Sequence, residues 1–391
     1  MNKKIFLHAR VFSEGKILDD YGIQVEQNKI TQVEPSDFFQ KQDISNAIVI
    51  DVAGDFLVPG FLDMHMHGIF DLLVDNGRED IEKISAVLPQ FGVTGFFPTV
   101  LPHAPKGEKE FLQDLGKARS TGAQILGFFC EGPFIARTGA IRPDALADKS
   151  VARLENMQSW LAPNRTIFAI SPEIEDMEAL IPKMGSPIFI THTAASVAQT
   201  EKAIELGARH ATHFYDVFPL PGDPNEGARP VGAVEVILAD SRTSVDFILD
   251  GEHVEPVVLR MAMACKPLTS ISLISDSNVG AGFPPGTYHG IGSEEISFAY
   301  EGAPARGTEN SLHPGCLYGS GLTLDRAVRN VLKFKVGSIE DALTMVSTSP
   351  AKVLGLIGNK GDIKVGFDAD IVRLSEELEV KATWVLGEKR Y

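Results

Sequence analysis

Cysteine is scarce in this chain: Cys130, Cys265 and Cys316 are the only three among 391 residues, odd in number and far apart. That excludes a disulfide framework and suits a reducing compartment. Positive charge is also short, with 36 Lys and Arg against 52 Asp and Glu and a formal net charge of −16. No basic stripe offsets the balance, so nucleic acid and anionic membrane surfaces are excluded as partners. An anionic small substrate is not excluded, because it responds to a local field rather than to the total. No apolar run approaches the ~20 residues needed to span a bilayer. The start MNKKIFLHARVF is basic, but His8 and Arg10 break its apolar run too early for a secretory signal. Together these absences predict a soluble cytoplasmic protein. Glycine-rich loops of the kind that grip nucleotide phosphates are missing as well, which argues against a doubly wound nucleotide-binding sheet.

What is present is organised around residues 190–216, ITHTAASVAQTEKAIELGARHATHFYD. Two β-type runs, each with a Thr-His near its end, flank a segment of helical pattern. A strand–helix–strand unit of this length makes its strands parallel, since an antiparallel pair needs only a tight turn. His192 and His213 therefore lie at the same, carboxyl, end of neighbouring strands, where α/β sheets and barrels carry their chemistry.

The texture repeats along the middle of the chain. Eight strand candidates, FLVPGFLDMHMH, TGFFPTV, QILGFFCEG, TIFAISPE, PIFITHT, HATHFYD, SVDFILDG and SISLISDS, alternate with helical candidates such as EDIEKISAVLPQFG and EPVVLRMAMACK. The pattern predicts an α/β fold, a (β/α)8 barrel over residues 55–355, of a kind that typically takes ~250 residues and more with insertions. Residues 1–54 and 356–391 alternate like short strands instead. They predict one small β-sandwich built from both chain ends. After the eighth strand, the stretch from VGAGFPPGTYHGIG through GCLYGSGLTL reads as a long Gly- and Pro-rich loop. Two helices come next, the second opening on Ser338 with Asp341 three residues on, the pattern of a capping box.

The polar residues at the strand ends are the chief functional signal. Strand one ends in His65-Met66-His67, strand three in Glu131, strand five in His192, strand six in His213 and strand eight in Asp276. Alternate residues of a strand share a face, so His65 and His67 point inward together. Four imidazoles and two carboxylates at one barrel mouth suit zinc, iron or a similar divalent metal. His8, His103, His210, His289 and His313 lack this placement and read as structural or solvated. Cys130 precedes Glu131 and should face away from the site.

The motifs HMHG, EGPF, ITHT, THF, DGEHV and SDS, with GSGLTLDRAVRN and KVGFDADIV further on, resemble the N-acetylglucosamine-6-phosphate deacetylases of the amidohydrolase superfamily. The resemblance runs from LVPGFLDMHMHG nearly to the C-terminus. It implies that Glu131, His192 and His213 hold one metal, and that His65 and His67, with Glu131 bridging and Asp276 nearby, hold a second. The cofactor would be one or two ions of Zn, Fe or Mn. Glu131 would stand where other superfamily branches use a carbamylated lysine, which TIFAISPE lacks. Asp276 would take a proton from the attacking water and hand it to the departing amine. His253 of DGEHV would orient the substrate. Arg229 would reach the 6-phosphate of a substrate in the neighbouring subunit, an arginine fork suiting phosphate oxygens. That implies a homodimer acting on a small N-acetylated amino sugar, phosphorylated at O6.

Three departures from the family pattern surround the substrate rather than the metal. Gly139-Ala140-Ile141 replaces Gly-Ala-His, Phe214-Tyr215-Asp216-Val217-Phe218 replaces Leu-Phe-Asn-Ala-Met, and Ala136-Arg137-Thr138 replaces a lysine-bearing stretch. Ile141, Tyr215 and Asp216 are therefore expected to set the substrate, and Asp216 repels phosphate. The galacto epimer, an unphosphorylated sugar and a different N-acyl or cyclic amide remain as alternatives, beside a catalytically silent sugar-binding relative.

Overall fold

The structure, a computed structural model, describes residues 3–103, 107–222 and 227–391. Its centre is a ring of eight short parallel strands: β1 Phe61–Met66, β2 Val93–Val100, β3 Phe128–Cys130, β4 Thr166–Ile170, β5 Ile188–Ile190, β6 His210–Ala211, β7 Ser244–Ile248 and β8 Ile271–Ile274. Each strand from β1 to β7 pairs with the next in parallel register. The seam from β8 back to β1 is bridged where Asp276 N–H donates to the His65 carbonyl at 2.9 Å. Ser275 N–H also donates to Asp63 Oδ1, at 3.3 Å. All eight residues of β2 and all six of β1 are buried. Continuous burial of this kind belongs to parallel strands covered on both faces, here by side chains inside and helices outside.

The two chain ends meet in one eight-stranded sheet, in which Phe56–Pro59 joins strands from the N-terminus to Ile371–Leu374 and Val380–Val385 from the C-terminus. Side-chain alternation explains how the sheet is seated. Phe56, Val58, Val372 and Leu374 pack into the barrel's core, whereas Leu57 and Ile371 join a separate cluster with Phe6, Val25 and Trp384. Phe6 and Trp384 meet edge to face with centroids 4.9 Å apart, tying the N-terminal strand to the C-terminal ones.

One expectation fails here. The stretch after β8 is not a long loop: Gly286–His289, Glu295–Phe298, Pro304–Gly307 and Leu317–Ser320 form a four-stranded antiparallel sheet. Its strands are four residues each, and three of them carry glycine, so they show too little alternation to stand out from turns. Ile296, Phe298, Ala303, Ala305 and Tyr318 give it a small core of its own. The expected capping box is present: Ser338 Oγ accepts from Asp341 N–H, and Asp341 Oδ2 accepts from Ser338 N–H at 2.8 Å. The helix it starts stops at Val346, and a short second helix resumes from Thr348.

Candidate metal centre

The six strand-end residues converge at the carboxyl mouth of the ring. Nε2 of His65 and of His67 lie 3.5 and 3.3 Å from Glu131 Oε2, and 3.3 and 3.1 Å from Asp276 Oδ1. Nε2 of His192 and of His213 lie 3.2 and 3.0 Å from the other Glu131 oxygen, Oε1. Glu131 thus stands between two pairs of imidazoles. Two donor triads emerge, His65–Glu131–His213 and His65–His67–Asp276, each with ligand atoms within 4.8 Å of one another. All the side chains are buried.

Local backbone geometry aims these groups. His192, His213 and Asp276 sit at φ of +49°, +33° and +43°. Side-chain-bearing residues rarely adopt such values, and they concentrate where surrounding structure enforces a functional arrangement. The chain leaves each strand abruptly there, turning the last side chain over the mouth.

The outer ring nitrogens are held by neighbours. His192 Nδ1–H donates to the Arg137 carbonyl at 2.8 Å, and His213 Nδ1–H to the Asp216 carbonyl at 3.3 Å. His65 Nδ1 lies 3.1 Å from Thr212 Oγ1. These contacts leave Nε2 as the free lone pair, the usual support of metal-binding histidines. Asp276 Oδ1, although close to two imidazoles, has no hydrogen-bond partner. Two imidazole nitrogens 3.3 Å apart and an orphaned carboxylate oxygen describe a pocket short of positive charge. Without a cation, protons take that place. Burial opposes a charge on His67, but the adjacent Asp276 and Glu131 carboxylates outweigh it, pushing the group up to about 10. His213 behaves likewise beside Glu131, also at about 10. Burial raises Glu131 and Asp276 too, yet the surrounding imidazoles hold both carboxylates below their usual range. The donor set fits a divalent metal.

The remaining expected residues fall into two groups. Ile141 and Asp216 line a cavity of about 260 Å³ over the centre, together with His67, Glu131, His192, His213 and Asp276. His253 is buried, its imidazole 2% exposed. Its Nδ1–H donates to Asp250 Oδ2 at 2.6 Å while Nε2 has no partner. Burial lowers its pKa but Asp250 more than restores it, with Asp216 and Asp276 adding to the rise. Tyr215 and Arg229 are not among the residues lining that cavity. Tyr215 packs its ring against Phe214, and Arg229 is exposed, 3.3 Å from Glu235 Oε1. Cys130 faces the hydrophobic core, where burial pushes its thiol up, away from reactivity.

Several supporting residues carry no signal in the sequence motifs. Asp246 accepts the His213 N–H at 2.6 Å through Oδ1 and holds His210 Nε2 at 2.8 Å through Oδ2. Glu173 accepts from Thr193 Oγ1 and Ala194 N–H, fixing the turn after His192. Glu252, beside His253, is gripped by Tyr300 at 2.6 Å and Arg306 at 2.9 Å, both from the antiparallel sheet and its turn. A carboxylate two residues along strand seven, facing strand six, was the one available sign for Asp246.

Residues 291–390 match the family model described as the Amidohydrolase family. The chain is 28% identical over 390 residues to N-acetylgalactosamine-6-phosphate deacetylase of Escherichia coli O157:H7, covering 97% of each chain. It is 29% identical over 402 residues to N-acetylglucosamine-6-phosphate deacetylase of Homo sapiens, covering 98% of this chain and 94% of that one. Among solved structures it resembles the Mycobacterium smegmatis N-acetyl-D-glucosamine-6-phosphate deacetylase, with a TM-score of 0.87 at 23% identity over all of both chains. The Thermotoga maritima N-acetylglucosamine-6-phosphate deacetylase superposes with a TM-score of 0.81 at 25% identity, over 99% of each chain. No helix among the described residues is long and apolar enough to cross a membrane.

Proposed function

We propose, from the membership of this chain in the N-acetylglucosamine-6-phosphate deacetylase family of amidohydrolases, that it hydrolyses the acetamide of an N-acetylated amino sugar with the help of divalent metal. N-acetylglucosamine 6-phosphate and its galacto epimer are the first substrates to consider, since deacetylases of both are relatives. The observation that carries the reading is the pair of donor triads sharing His65, with Asp276 Oδ1 left unpartnered beside them.

Glu131, His192 and His213 would hold one ion; His65 and His67, with Glu131 and Asp276, would hold a second. Zn, Fe or Mn suits these ligands. Bound there, a metal supplies Lewis acidity toward the amide carbonyl and acidifies water, whose pKa falls from about 15.7 toward 7. The protein's own residues do the rest. Asp276, kept ionised by the imidazoles, accepts the proton of the attacking water and returns it to the nitrogen as the C–N bond breaks, releasing acetate and free amine. His253, fixed by Asp250, offers Nε2 toward the substrate. Ile141 and Asp216 shape the cavity that holds the sugar, and Tyr215, outside its lining, packs on Phe214 in the turn that carries Asp216. Arg229, exposed on this chain, would serve the phosphate of a neighbouring subunit's substrate in a homodimer. The free cysteines fit a cytoplasmic enzyme. The barrel of residues 55–355 would be the hydrolytic unit and segments 1–54 and 356–391 its support.

Asp216 in the cavity wall favours a second reading of the sugar, as one without phosphate, because a carboxylate repels that group. Acetate release from N-acetylglucosamine 6-phosphate, its galacto epimer and both unphosphorylated sugars tests the proposal, with R229A run beside the natural protein. Deacetylation of a member of this panel is expected; a phosphorylated substrate should lose affinity in R229A while its unphosphorylated counterpart does not. No acetate from any of the four sugars would reject the reading.

A further inference from the structure

The cavity over the metal centre does not end at the sugar-sized space. Leu101, Ala140, Ile141, Ile291 and Tyr318 line it and also line a second cavity of about 890 Å³, more than three times as large. The five shared residues form an apolar collar between an inner and an outer chamber. The outer one is near the top of the ~300–1,000 Å³ range of small-molecule sites. A single N-acetylated ring seated in the inner chamber with its acetamide at the metals would leave the outer one for another group.

The chemistry of the outer wall restricts what enters. Asp71, Asp75, Asp144 and Glu294 contribute carboxylates, which outnumber the Arg142 guanidinium and the His103 and His289 imidazoles. Arg142, the one arginine lining it among the described residues, is forked onto Asp144 by two contacts of 3.2 Å. An anion there would meet net repulsion. Hydroxyl groups would not: carboxylates accept hydrogen bonds from them, and the apolar collar suits the C–H faces of a pyranose. At the rim Leu312 is 62% exposed, an apolar surface of the kind sugar rings cover.

We infer that the outer chamber holds a second, uncharged sugar residue attached to the N-acetylated ring, so that the enzyme deacetylates a disaccharide or longer unit. The inference rests on the deacetylase reading above. Binding energy gathered in the outer chamber would then be used at the reacting amide, as with other substrates whose remote parts raise turnover.

The test is acetate release from N-acetylglucosamine and N,N′-diacetylchitobiose, and from the 6-phosphate of each, by the full-length metal-loaded protein and by D71W and L312W, which crowd the outer chamber from its rim. Within a phosphorylated or unphosphorylated pair, kcat/KM for the disaccharide should exceed that for the monosaccharide by about tenfold or more. That ratio should collapse toward one in at least one variant. Because each ratio is taken within one preparation, a poorly folded variant does not mimic the effect. A monosaccharide preferred over its disaccharide, or a ratio untouched by both variants, overturns the inference and leaves the deacetylase reading standing. No acetate from any of the four compounds overturns both.

Discussion

Thr212 Oγ1 lies 3.1 Å from Nδ1 of His65, so the residue preceding one candidate ligand, His213, orients another across the barrel. Thr191, which precedes His192, reaches the next strand's ligand too, but lies over the edge of the His213 ring, its hydroxyl 3.4 Å from Nδ1 and 3.1 Å from Nε2. The repeated Thr-His pair is thus an interlock in which each strand supplies a ligand and steadies another. T212V preserves the β-branched shape and removes only the hydroxyl. It should fold normally yet bind metal ~10–100-fold more weakly, as loss of such supporting contacts does. Competition with a chromogenic chelator measures this; unchanged affinity would show that the hydroxyl plays no part.

Asp276 is placed by the antiparallel sheet as much as by its own strand. Ser320 N–H donates to the Asp276 carbonyl at 2.8 Å, and Gly319, at φ +68°, packs so closely that a Cβ there would stand 2.6 Å from that oxygen. G319A should therefore displace Asp276 and cost ~1–3 kcal/mol of stability. Turnover should drop by on the order of 10²-fold, the scale of a misplaced catalytic group. Thermal melts and kcat read the two effects separately, and a fully active G319A would free Asp276 from this dependence.

D276N keeps the shape of the side chain and removes its basicity. Metal content and fold should persist while kcat falls by ~10²–10⁴-fold, the usual contribution of a general acid–base. Near-normal kcat in metal-replete D276N would remove Asp276 from proton transfer.

Protons and metal compete for the same nitrogens. In the metal-free protein burial disfavours charge on His67 and His213, but the neighbouring carboxylates prevail and both titrate at about 10. These folded values lie above the ~6.5 of an unfolded chain. The stabilisation they bring is complete below that value and is lost as pH climbs through about 10. Divalent metal needs both rings neutral, so binding near pH ~8 should release about two protons and tighten as pH rises. Calorimetry in buffers of different ionisation enthalpy counts those protons; a count of zero would contradict the assignment.

The legible part of the molecule was the part written in single residues at regular intervals. Eight apolar runs, most of them ending in a polar group, reveal the barrel, and His65, His67, Glu131, His192, His213 and Asp276 meet as their strand-end positions imply. The sheet spanning Gly286 to Ser320 stayed hidden because four-residue strands interrupted by glycine show hardly one period of alternation. Its effect on the site, through Tyr300 and Arg306 on Glu252 and Ser320 on Asp276, is a matter of distant contacts that no local pattern records. The same holds for Asp246, whose carboxylate divides itself between His210 and the backbone of His213.

Catalysis by this site depends on convergence of these side chains upon metal. The most direct test strips the purified protein with an excess of chelator, confirms removal by elemental analysis, and measures acetate release before and after adding back Zn, Fe(II) or Mn. Activity should fall at least ~100-fold on stripping and return with at least one of the ions. A metal-free preparation that deacetylates at the original rate would contradict the central claim.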